Sequence, residues 1–273
     1  MGTIPQRVAE RLVAGVKRFQ SVLSTAKARD VNEADTTLII VDILSTVFGY
    51  DRYTEITAEQ LIRGTYCDLA IKIDGKIHLL LEIKAVGLDL KGSHVKQAID
   101  YAANQGIEWV VLTTGVLWRV FRVVFAKPID QELVLDFDFL SLSPRSPQNL
   151  EDLYLLTREG LLKSVLPEYY AQRQATNRFL LAAILLGDPV LEAIRREVRK
   201  LYPGVRINAQ EIGVALAQDV LKREVVEGEK ATEARKKVQR SIAKTERIKA
   251  AKASEGAPHT QEAHGDGMGV GDG

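Results

Sequence analysis

The chain has 273 residues, of which 46% are hydrophobic, and its formal net charge is +1. This length predicts one or two domains. The near-neutral charge excludes nucleic-acid binding through overall basicity, so any such signal has to be local. The single cysteine, Cys67, excludes an intrachain disulfide and is typical of proteins from a reducing compartment.

Several function classes are disfavoured because their sequence signals are missing. The chain has no GxxxxGK[ST] motif, which argues against a P-loop ATPase and against ATP as a partner. Its four histidines and one cysteine do not favour a zinc site. No stretch approaches the ~18 apolar residues of a membrane span, and the N-terminus lacks the apolar segment of a signal peptide. We therefore expect a cytoplasmic protein without a membrane partner.

Hydrophobic spacing, capping residues and turn residues predict the elements of the first half of the chain. In chain order they are an amphipathic helix over 6–26, a helix over 33–48 that Asn32 caps and Gly49 ends, a strand over 53–57, hairpin strands over 66–73 and 77–84, a helix over 93–105 that Ser93 caps and Gly106 ends, and strands over 109–113 and 117–125. This order predicts a mixed α/β domain over 31–140, preceded by an N-terminal amphipathic helix over 1–30.

The character of the chain changes after the loop SLSPRSPQN at 141–149. Residues 150–228 have helical periodicity and almost no strand signal, which predicts an α-helical region. Its predicted core consists of Ala182, Ile184, Leu185, Leu186, Val190, Leu191 and Ile194. Residues 229–273 are rich first in charge and then in glycine, and we expect a flexible tail, with a helix or coil in its charged part and disorder in the last twenty residues. Its basic residues either contact phosphates or only keep the tail solvated.

The predicted hairpin carries charged residues among apolar ones. Because side chains alternate along a strand, each strand has one apolar face and one face with charges. The apolar faces consist of Leu69, Ile71 and Ile73 in the first strand and of Ile77, Leu79, Leu81 and Ile83 in the second. The other faces carry Asp68 in the first strand and Glu82 and Lys84 in the second.

The pairing of the two strands decides whether these charges meet. A two-residue turn, which an Asp-Gly pair favours, sets the two apolar faces on opposite sides of the sheet. Since the hydrophobic pattern fixes the register, we predict instead a bulge or a three-residue turn over 74–76, with Ile73 paired to Ile77. Asp68 and Glu82 then lie side by side, about 5–6 Å apart.

Asp68, Glu82 and Lys84 would form one group in this register. Two adjacent carboxylates disfavour each other's ionised form, and a bound Mg²⁺, which prefers oxygen ligands and keeps some water, removes that conflict. A lysine next to such a site suggests hydrolysis of a phosphodiester. The alternative from the residues alone is a cross-strand ion pair on a solvated sheet face.

This pattern resembles the D…(D/E)xK signature of the PD-(D/E)XK nuclease superfamily, and in particular the N-terminal nuclease domain of type I restriction enzyme R subunits. The resemblance covers roughly residues 30–125. Its further motifs are the N-E-A-x-T entry of a helix (Asn32, Glu33, Ala34 and Thr36), the sequence F-G-Y-D at 48–51, the helix QAIDYA at 97–102, and T-x-G-x-x-W (Thr113, Gly115 and Trp118).

The resemblance implies both a fold and an activity. The fold is α/β, a restriction-endonuclease-like mixed sheet with an αβββαβ core flanked by helices, here followed by an α-helical C-terminal region. The activity is that of a metal-dependent endonuclease acting on DNA, with restriction or defence as its setting. Asp68 and Glu82 would bind Mg²⁺ or Mn²⁺ with the carbonyl of Ile83 as a third ligand, and Lys84 would orient or activate water.

Two further residues receive roles from the same resemblance. Gln97 matches an active-site glutamine on the next helix, and Glu33 matches an acid that supports the site from behind. From the residues alone, Gln97 is equally a surface neighbour of Tyr101, and Glu33 is equally a first-turn acid that suits the helix dipole.

The chain departs from the family pattern at several points. Tyr66 and Cys67 replace the proline that names the superfamily, and Thr37 stands where a basic residue is frequent. No helicase motor is present, so we expect a stand-alone relative with DNA as its partner. A homodimer that pairs two active sites stays an open expectation. The competing hypothesis is a nuclease-like protein that binds nucleic acid or a partner without cutting.

Overall fold

The structure of the chain is a computed structural model that describes residues 3–58 and 67–255. It consists of two compact units that divide between Ala171 and Gln172. The division falls inside a helix, well after the loop at 141–149 where the sequence pattern changes. The predicted start of a strand at Tyr66 and the Gly-rich end of the predicted tail lie outside the described residues.

The first unit contains a mixed α/β fold, as predicted, with a six-stranded sheet in the order β1-β2-β3-β4-β5-β6. The strands are β1 (Ile56–Ala58), β2 (Leu69–Ile73), β3 (Lys76–Ile83), β4 (Trp109–Thr113), β5 (Leu117–Val124) and β6 (Asp130–Asp138). The helices are α1 (Gln6–Ala28), α2 (Glu33–Thr46), α3 (Gly92–Gln105), α4 (Pro147–Tyr154), α5 (Arg158–Leu162) and α6 (Val165–Ala175), with a 3-10 helix at Phe139–Ser141. Neighbouring strands are antiparallel except β3 and β4, which are parallel and joined through α3.

The helix ends agree with the sequence signals at most positions. The side chain of Asn32 accepts a hydrogen bond from the backbone N–H of Asp35 at 2.9 Å, so Asn32 is the N-cap of α2. Gly106 ends α3 in the left-handed conformation, with φ 69°. The prediction that Ser93 caps α3 is wrong: the helix starts one residue earlier, and Nδ1 of His94 accepts from the backbone N–H of Lys91.

The sheet carries a large apolar core on one face and a smaller one on the other. The large core combines side chains of α1, α2, the strands and α4 to α6, among them Leu12, Phe19, Ile40, Ile43, Leu81, Val111, Trp118, Leu153 and Leu166. The smaller core lies under α3 and includes Ala70, Leu80, Val95, Ala98, Tyr101, Val110 and Leu112. The N-terminal helix and the helices after the sheet belong to the first unit because their apolar stripes complete its large core.

The turn of the β2–β3 hairpin differs from the prediction. Ile73 pairs with Lys76, and Asp74 and Gly75 both have positive φ, 51° and 81°. This is the two-residue turn that an Asp-Gly pair favours. The predicted pairing of Ile73 with Ile77 is therefore wrong.

A bulge follows within the same hairpin. Lys72 pairs with Ile77 and Ile71 pairs with Leu79, so His78 has no partner on β2. The bulge reconciles the two sequence signals, because the turn keeps its preferred length and the register changes by one residue immediately afterwards.

Beyond the bulge, the apolar faces of β2 and β3 coincide. Leu69 pairs with Leu81, and the large core takes up Leu69, Ile71, Ile73, Leu79, Leu81 and Ile83 together. Ile77 does not join them, contrary to the predicted alternation. It packs against the core under α3, because the extra residue turns it to the other side of the sheet.

The last strand, β6, was not expected from the sequence. Its alternation is broken because Val134 and Leu135 are consecutive and both buried, at a register shift against β5. The strand supplies Phe137, whose ring stacks on that of Trp118 with 6.1 Å between the ring centroids. The ring of Trp118 also meets that of Phe48 edge-on, with 5.4 Å between the centroids.

The second unit is helical, as predicted for this part of the chain. It contains α7 (Arg178–Leu185), α8 (Asp188–Leu201), α9 (Ala209–Ala215), α10 (Arg223–Val226) and α11 (Glu229–Glu255), with a π-helical turn at Leu216–Val220. Its buried apolar residues are Ala182, Ala183, Leu191, Ile212, Val225, Ala231 and Ala234. Ile184, predicted as core, is 41% exposed. Over the described ranges, no helix combines the length and apolar character that crossing a bilayer requires.

The segment predicted as a flexible tail begins with a helix. Residues 229–255 form α11, which packs on α7. Ala231 and Ala234 are buried, and Ala231 lines one small void together with Phe179 and Ala182 of α7. The buried Ala231 and Ala234 thus hold the beginning of this highly charged segment against α7.

Candidate functional site

Glu82, Lys84 and Glu33 meet at the carboxyl end of β3. The Nζ atom of Lys84 lies 2.8 Å from Oε1 of Glu82 and 3.5 Å from Oε2 of Glu33. The side chain of Glu82 is 11% exposed, and that of Glu33, in the first turn of α2, is 50% exposed. The ammonium group is therefore held between a buried carboxylate on the sheet and an exposed one on the helix.

Asp68 joins this group from the residue just before β2. Its Oδ2 accepts a hydrogen bond from the backbone N–H of Ile83 at 2.6 Å. Ala70 and Leu80 both belong to the core under α3, and the alternation of side chains puts Asp68 and Glu82, two residues farther along, on that same side. The site cluster, which we define as Asp68, Glu82, Lys84 and Glu33, thus contains three carboxylates and one ammonium group.

Backbone contacts hold the site cluster in place. The N–H of Lys84 donates to the carbonyl of Thr113 in β4 at 2.9 Å, which extends the parallel pairing by one residue. The buried hydroxyl of Thr36, in α2, accepts from the N–H of Val86 at 3.1 Å. This bond ties the start of α2 to the chain that leaves β3, and so keeps Glu33 close to Lys84.

Thr36 is the supporting residue to which sequence reasoning assigned no role. Its hydroxyl also donates to the carbonyl of Asn32 at 2.7 Å, the usual bond of a threonine inside a helix. The contact with Val86 spans fifty residues of sequence. The available signal was its place in the N-E-A-x-T sequence, one turn after Asn32.

The environment shifts the pKa values of two members of the cluster. Burial raises the pKa of Glu82; the hydrogen bond from Lys84 opposes this rise, and the negative charge of Asp68 adds to it. Burial alone would lower the pKa of Lys84, but the hydrogen bond to Glu82 and the surrounding carboxylates outweigh it and raise that pKa. At neutral pH, Lys84 is therefore a cation and a hydrogen-bond donor.

Cys67, the only cysteine, lies next to Asp68 but is not a reactive group. Its side chain is 1% exposed, and Sγ contacts the carbonyls of Leu69 and Leu81 at 3.4 and 3.0 Å. Burial, followed by the charges of Glu82 and Asp68, raises the pKa of the thiol to about 12. It serves as a small core residue, as expected from the sequence.

Gln97 lies on α3 and is not a partner in the contacts described above. It lines an open groove of about 420 Å³ together with Ser93, Lys96, Asp100, Tyr101 and Asn104. Tyr101 packs into the core under α3 at 2% exposure, and its hydroxyl finds no hydrogen-bond partner in the described part of the chain. Within residues 3–58 and 67–255, no hydrogen bond or ion pair joins Gln97 to the site cluster, so its active-site role stays a prediction.

The donors of the site cluster are compatible with a hard divalent cation. Among the described residues, no three His, Cys, Asp or Glu side chains are arranged to hold a metal ion. Mg²⁺ often takes only one or two carboxylates, however, and completes its shell with water and substrate phosphates. Asp68 and Glu82 are two such carboxylates on one side of the sheet.

Comparisons of the chain with protein-family models, with curated proteins and with solved structures find no match.

Proposed function

We propose that the chain is a Mg²⁺- or Mn²⁺-dependent nuclease with a restriction-endonuclease-like fold that hydrolyses phosphodiester bonds, with DNA as its substrate. The observation that carries the proposal is the meeting of Asp68, Glu82 and Lys84 on one side of the sheet. The supporting order of elements is a helix, three strands, a helix and a strand, which corresponds to α2, β1 to β3, α3 and β4.

Two carboxylates and one backbone group would hold the cation. These are Asp68, Glu82 and the carbonyl of Ile83. When bound, a divalent cation polarises a phosphate oxygen and lowers the pKa of a nearby water molecule. Because Oδ2 of Asp68 already accepts a hydrogen bond from the N–H of Ile83, its other oxygen would be the one that binds the cation.

Lys84 would act as a hydrogen-bond donor and not as a base. Its raised pKa keeps the ammonium group charged at neutral pH. An ammonium group has three N–H donors, and the ion pairs with Glu82 and Glu33, at 2.8 and 3.5 Å, engage at most two of them. A remaining N–H can orient the attacking water or stabilise the charge that develops on phosphate oxygens. In this scheme, Glu33 positions Lys84 without touching the substrate.

A cleavage assay tests the proposal directly. Supercoiled plasmid and single-stranded DNA are incubated with the protein and Mg²⁺, Mn²⁺ or EDTA, and cleavage is followed on gels. We expect metal-dependent cleavage that falls by about 100-fold or more in Lys84→Ala and in Asp68→Asn. Lys72→Ala, an exposed lysine on β2, is the matched control and should cleave normally. Absence of cleavage at micromolar protein, or equal cleavage by Lys84→Ala, would contradict the proposal.

The second candidate is a protein of the same fold that binds nucleic acid without cutting it. The observation that favours it is the 2.8 Å ion pair of Lys84 with Glu82, which neutralises the buried carboxylate without any metal. The two candidates differ in their response to a cation. For a silent binding protein, Mg²⁺ leaves the melting temperature unchanged, and Asp68→Asn affects neither stability in Mg²⁺ nor DNA affinity. For the nuclease, Mg²⁺ raises the melting temperature and Asp68→Asn removes that rise.

A further inference from the structure

The two units differ in net charge. Residues 1–171 contain 19 Lys and Arg against 22 Asp and Glu, a net charge of −3. Residues 172–273 contain 18 Lys and Arg against 14 Asp and Glu, a net charge of +4. A polyanionic substrate is therefore repelled by the unit that carries the site cluster and attracted by the helical unit.

Four cations of the second unit form one row along α11. Lys236, Arg240, Lys244 and Arg247 are all exposed and are separated by four, four and three residues. At 3.6 residues per turn and 1.5 Å per residue, this spacing aligns them on one side of the helix over about 16 Å, with about 6 Å between successive members. We call these four residues the α11 row.

The opposite side of α11 holds the helix on the unit. Ala231 and Ala234 are buried and α11 packs on α7. The first apolar side chains of α11 are thus turned to its own unit, and Ile242, 37% exposed, is the large apolar side chain that the described part of the helix leaves open, whereas a helix that lies in a membrane surface needs a continuous exposed apolar face. The α11 row offers charge without apolar contact, which suits a phosphate backbone better than a bilayer.

The ion pairs of the second unit use other cations. They join Arg178 to Glu224, Arg195 to Glu192, Lys200 to Glu197 and Arg223 to Glu227. No member of the α11 row forms an ion pair with a residue whose side chain the structure describes. Among those side chains, none neutralises the charge of the row, and the row can bind an external anion.

We propose that the α11 row binds the phosphodiester backbone of nucleic acid without sequence preference and is the surface through which the chain retains its substrate. The choice of nucleic acid as the polyanion rests on the proposed function. Each lysine or arginine that neutralises a phosphate releases condensed counterions, so such binding weakens steeply with salt. The shared chemistry is the phosphate backbone, and duplex DNA, single-stranded DNA and RNA are its sources.

The test is a binding measurement in which cleavage plays no part. Fluorescein-labelled 20-mers of duplex DNA, single-stranded DNA and RNA are titrated with the full chain in EDTA, and anisotropy gives Kd from 50 to 300 mM KCl. For the triple variant Lys236→Gln, Arg240→Gln, Lys244→Gln we expect the salt slope to fall by about three and Kd at 50 mM to rise at least about tenfold. The replaced side chains are exposed, and circular dichroism checks that helicity is retained.

A matched variant distinguishes the loss of the α11 row from a simple loss of positive net charge. Arg7→Gln, Lys17→Gln, Lys27→Gln removes the same charge from exposed positions of α1 and should leave the salt slope within about one of the wild type. Equal effects of both triple variants, an unchanged slope in the α11 variant, or binding to anionic vesicles but to none of the three nucleic acids would each overturn the inference.

The outcomes also separate this inference from the proposed function. Salt-dependent binding through the α11 row without any metal-dependent cleavage leaves the inference standing and removes the nuclease. Cleavage that depends on Lys84, together with binding that ignores the α11 row, does the reverse.

Discussion

The sheet-containing unit and the helical unit differ in where their charged side chains lie and in how much core lies beneath them. In the first unit, buried or half-buried charges are paired across long stretches of sequence, as in Arg158 with Glu55 and Arg11 with Glu159. In the second, ion pairs join exposed residues or near neighbours on a helix, and pairs of that kind contribute little stability. The first unit thus holds its charged side chains in fixed positions, and the second presents exposed charge on helices with a small apolar core.

The largest expected change in stability comes from removing a central core side chain of the first unit. Trp118 is 1% exposed, and its indole N–H donates to the carbonyl of Gly115 at 2.7 Å. We expect Trp118→Ala to lower the free energy of unfolding of this unit by about 3–5 kcal/mol. Trp109, the other tryptophan of the chain, reports the transition by fluorescence in urea. Tyr53→Ala, at a side chain 89% exposed, is the control and should cost less than about 0.5 kcal/mol.

A matching substitution in the second unit should cost less. Leu191 is 6% exposed, and we expect Leu191→Ala to destabilise its unit by about 2–3 kcal/mol. Both tryptophans lie in the first unit, so the change should move the circular dichroism transition at 222 nm and leave the fluorescence transition in place. Leu201→Ala, 75% exposed on the same helix, is the comparison variant. A shift of the fluorescence transition by Leu191→Ala would show that the units do not unfold independently.

Replacement of Thr36, which supports the site cluster, should have a smaller effect on stability and can also be followed by the cleavage rate. Thr36→Val keeps the shape of the side chain but leaves the buried N–H of Val86 without its 3.1 Å partner. We expect a loss of about 1–2 kcal/mol in stability and a lower cleavage rate at saturating metal. Thr37→Val, which removes only a hydroxyl bonded to the carbonyl of Glu33 within the helix, should do neither. Equal behaviour of the two variants would mean that the bond to Val86 does not position the cluster.

The smallest effect concerns the pH dependence of stability. Burial raises the folded-state pKa of Glu82 above its ordinary 4.5, so the folded chain takes up this proton at higher pH than the unfolded chain. In EDTA, the wild type should therefore gain stability relative to Glu82→Gln as pH falls through that raised pKa, with no further change below about 4.5. Urea midpoints by fluorescence between pH 8 and 4 measure the difference, and Glu10→Gln on α1 controls for net charge. If the stability of the wild type relative to Glu82→Gln instead grew with rising pH, the pKa of Glu82 would be lowered in the folded chain and not raised.

Local rules predicted much of the first unit. The cap at Asn32, the left-handed stop at Gly106 and the alternation that separates Ala70 and Leu80 from their neighbours all depend on residues close in sequence. The grouping of Asp68 with Glu82 followed from the requirement that apolar faces coincide, which is also a local pattern once two strands are known to pair.

The remainder depends on contacts between distant residues. The division of the chain inside α6 arises because α4 and α5 bury their apolar side chains in the core of the sheet, which no local composition reveals. The bond from Val86 to Thr36 and the packing of β6 over Trp118 likewise require the assembled sheet. In the second unit, Ile184 has the hydrophobicity of a core residue but is 41% exposed.

The bulge at His78 also bears on how the length of this hairpin can vary. Without His78, the two-residue turn, the pairing of Lys72 with Ile77 and the pairing of Ile71 with Leu79 would form one regular ladder. His78 is therefore equivalent to a one-residue insertion that the bulge accommodates. Its deletion would leave the pairing partner and the side of the sheet unchanged for every later residue of β3. Loss of one residue from the turn itself would rotate β3 and separate Asp68 from Glu82. We therefore expect deletion of His78 to retain the pairing of Leu69 with Leu81, and deletion of Gly75 to disrupt it.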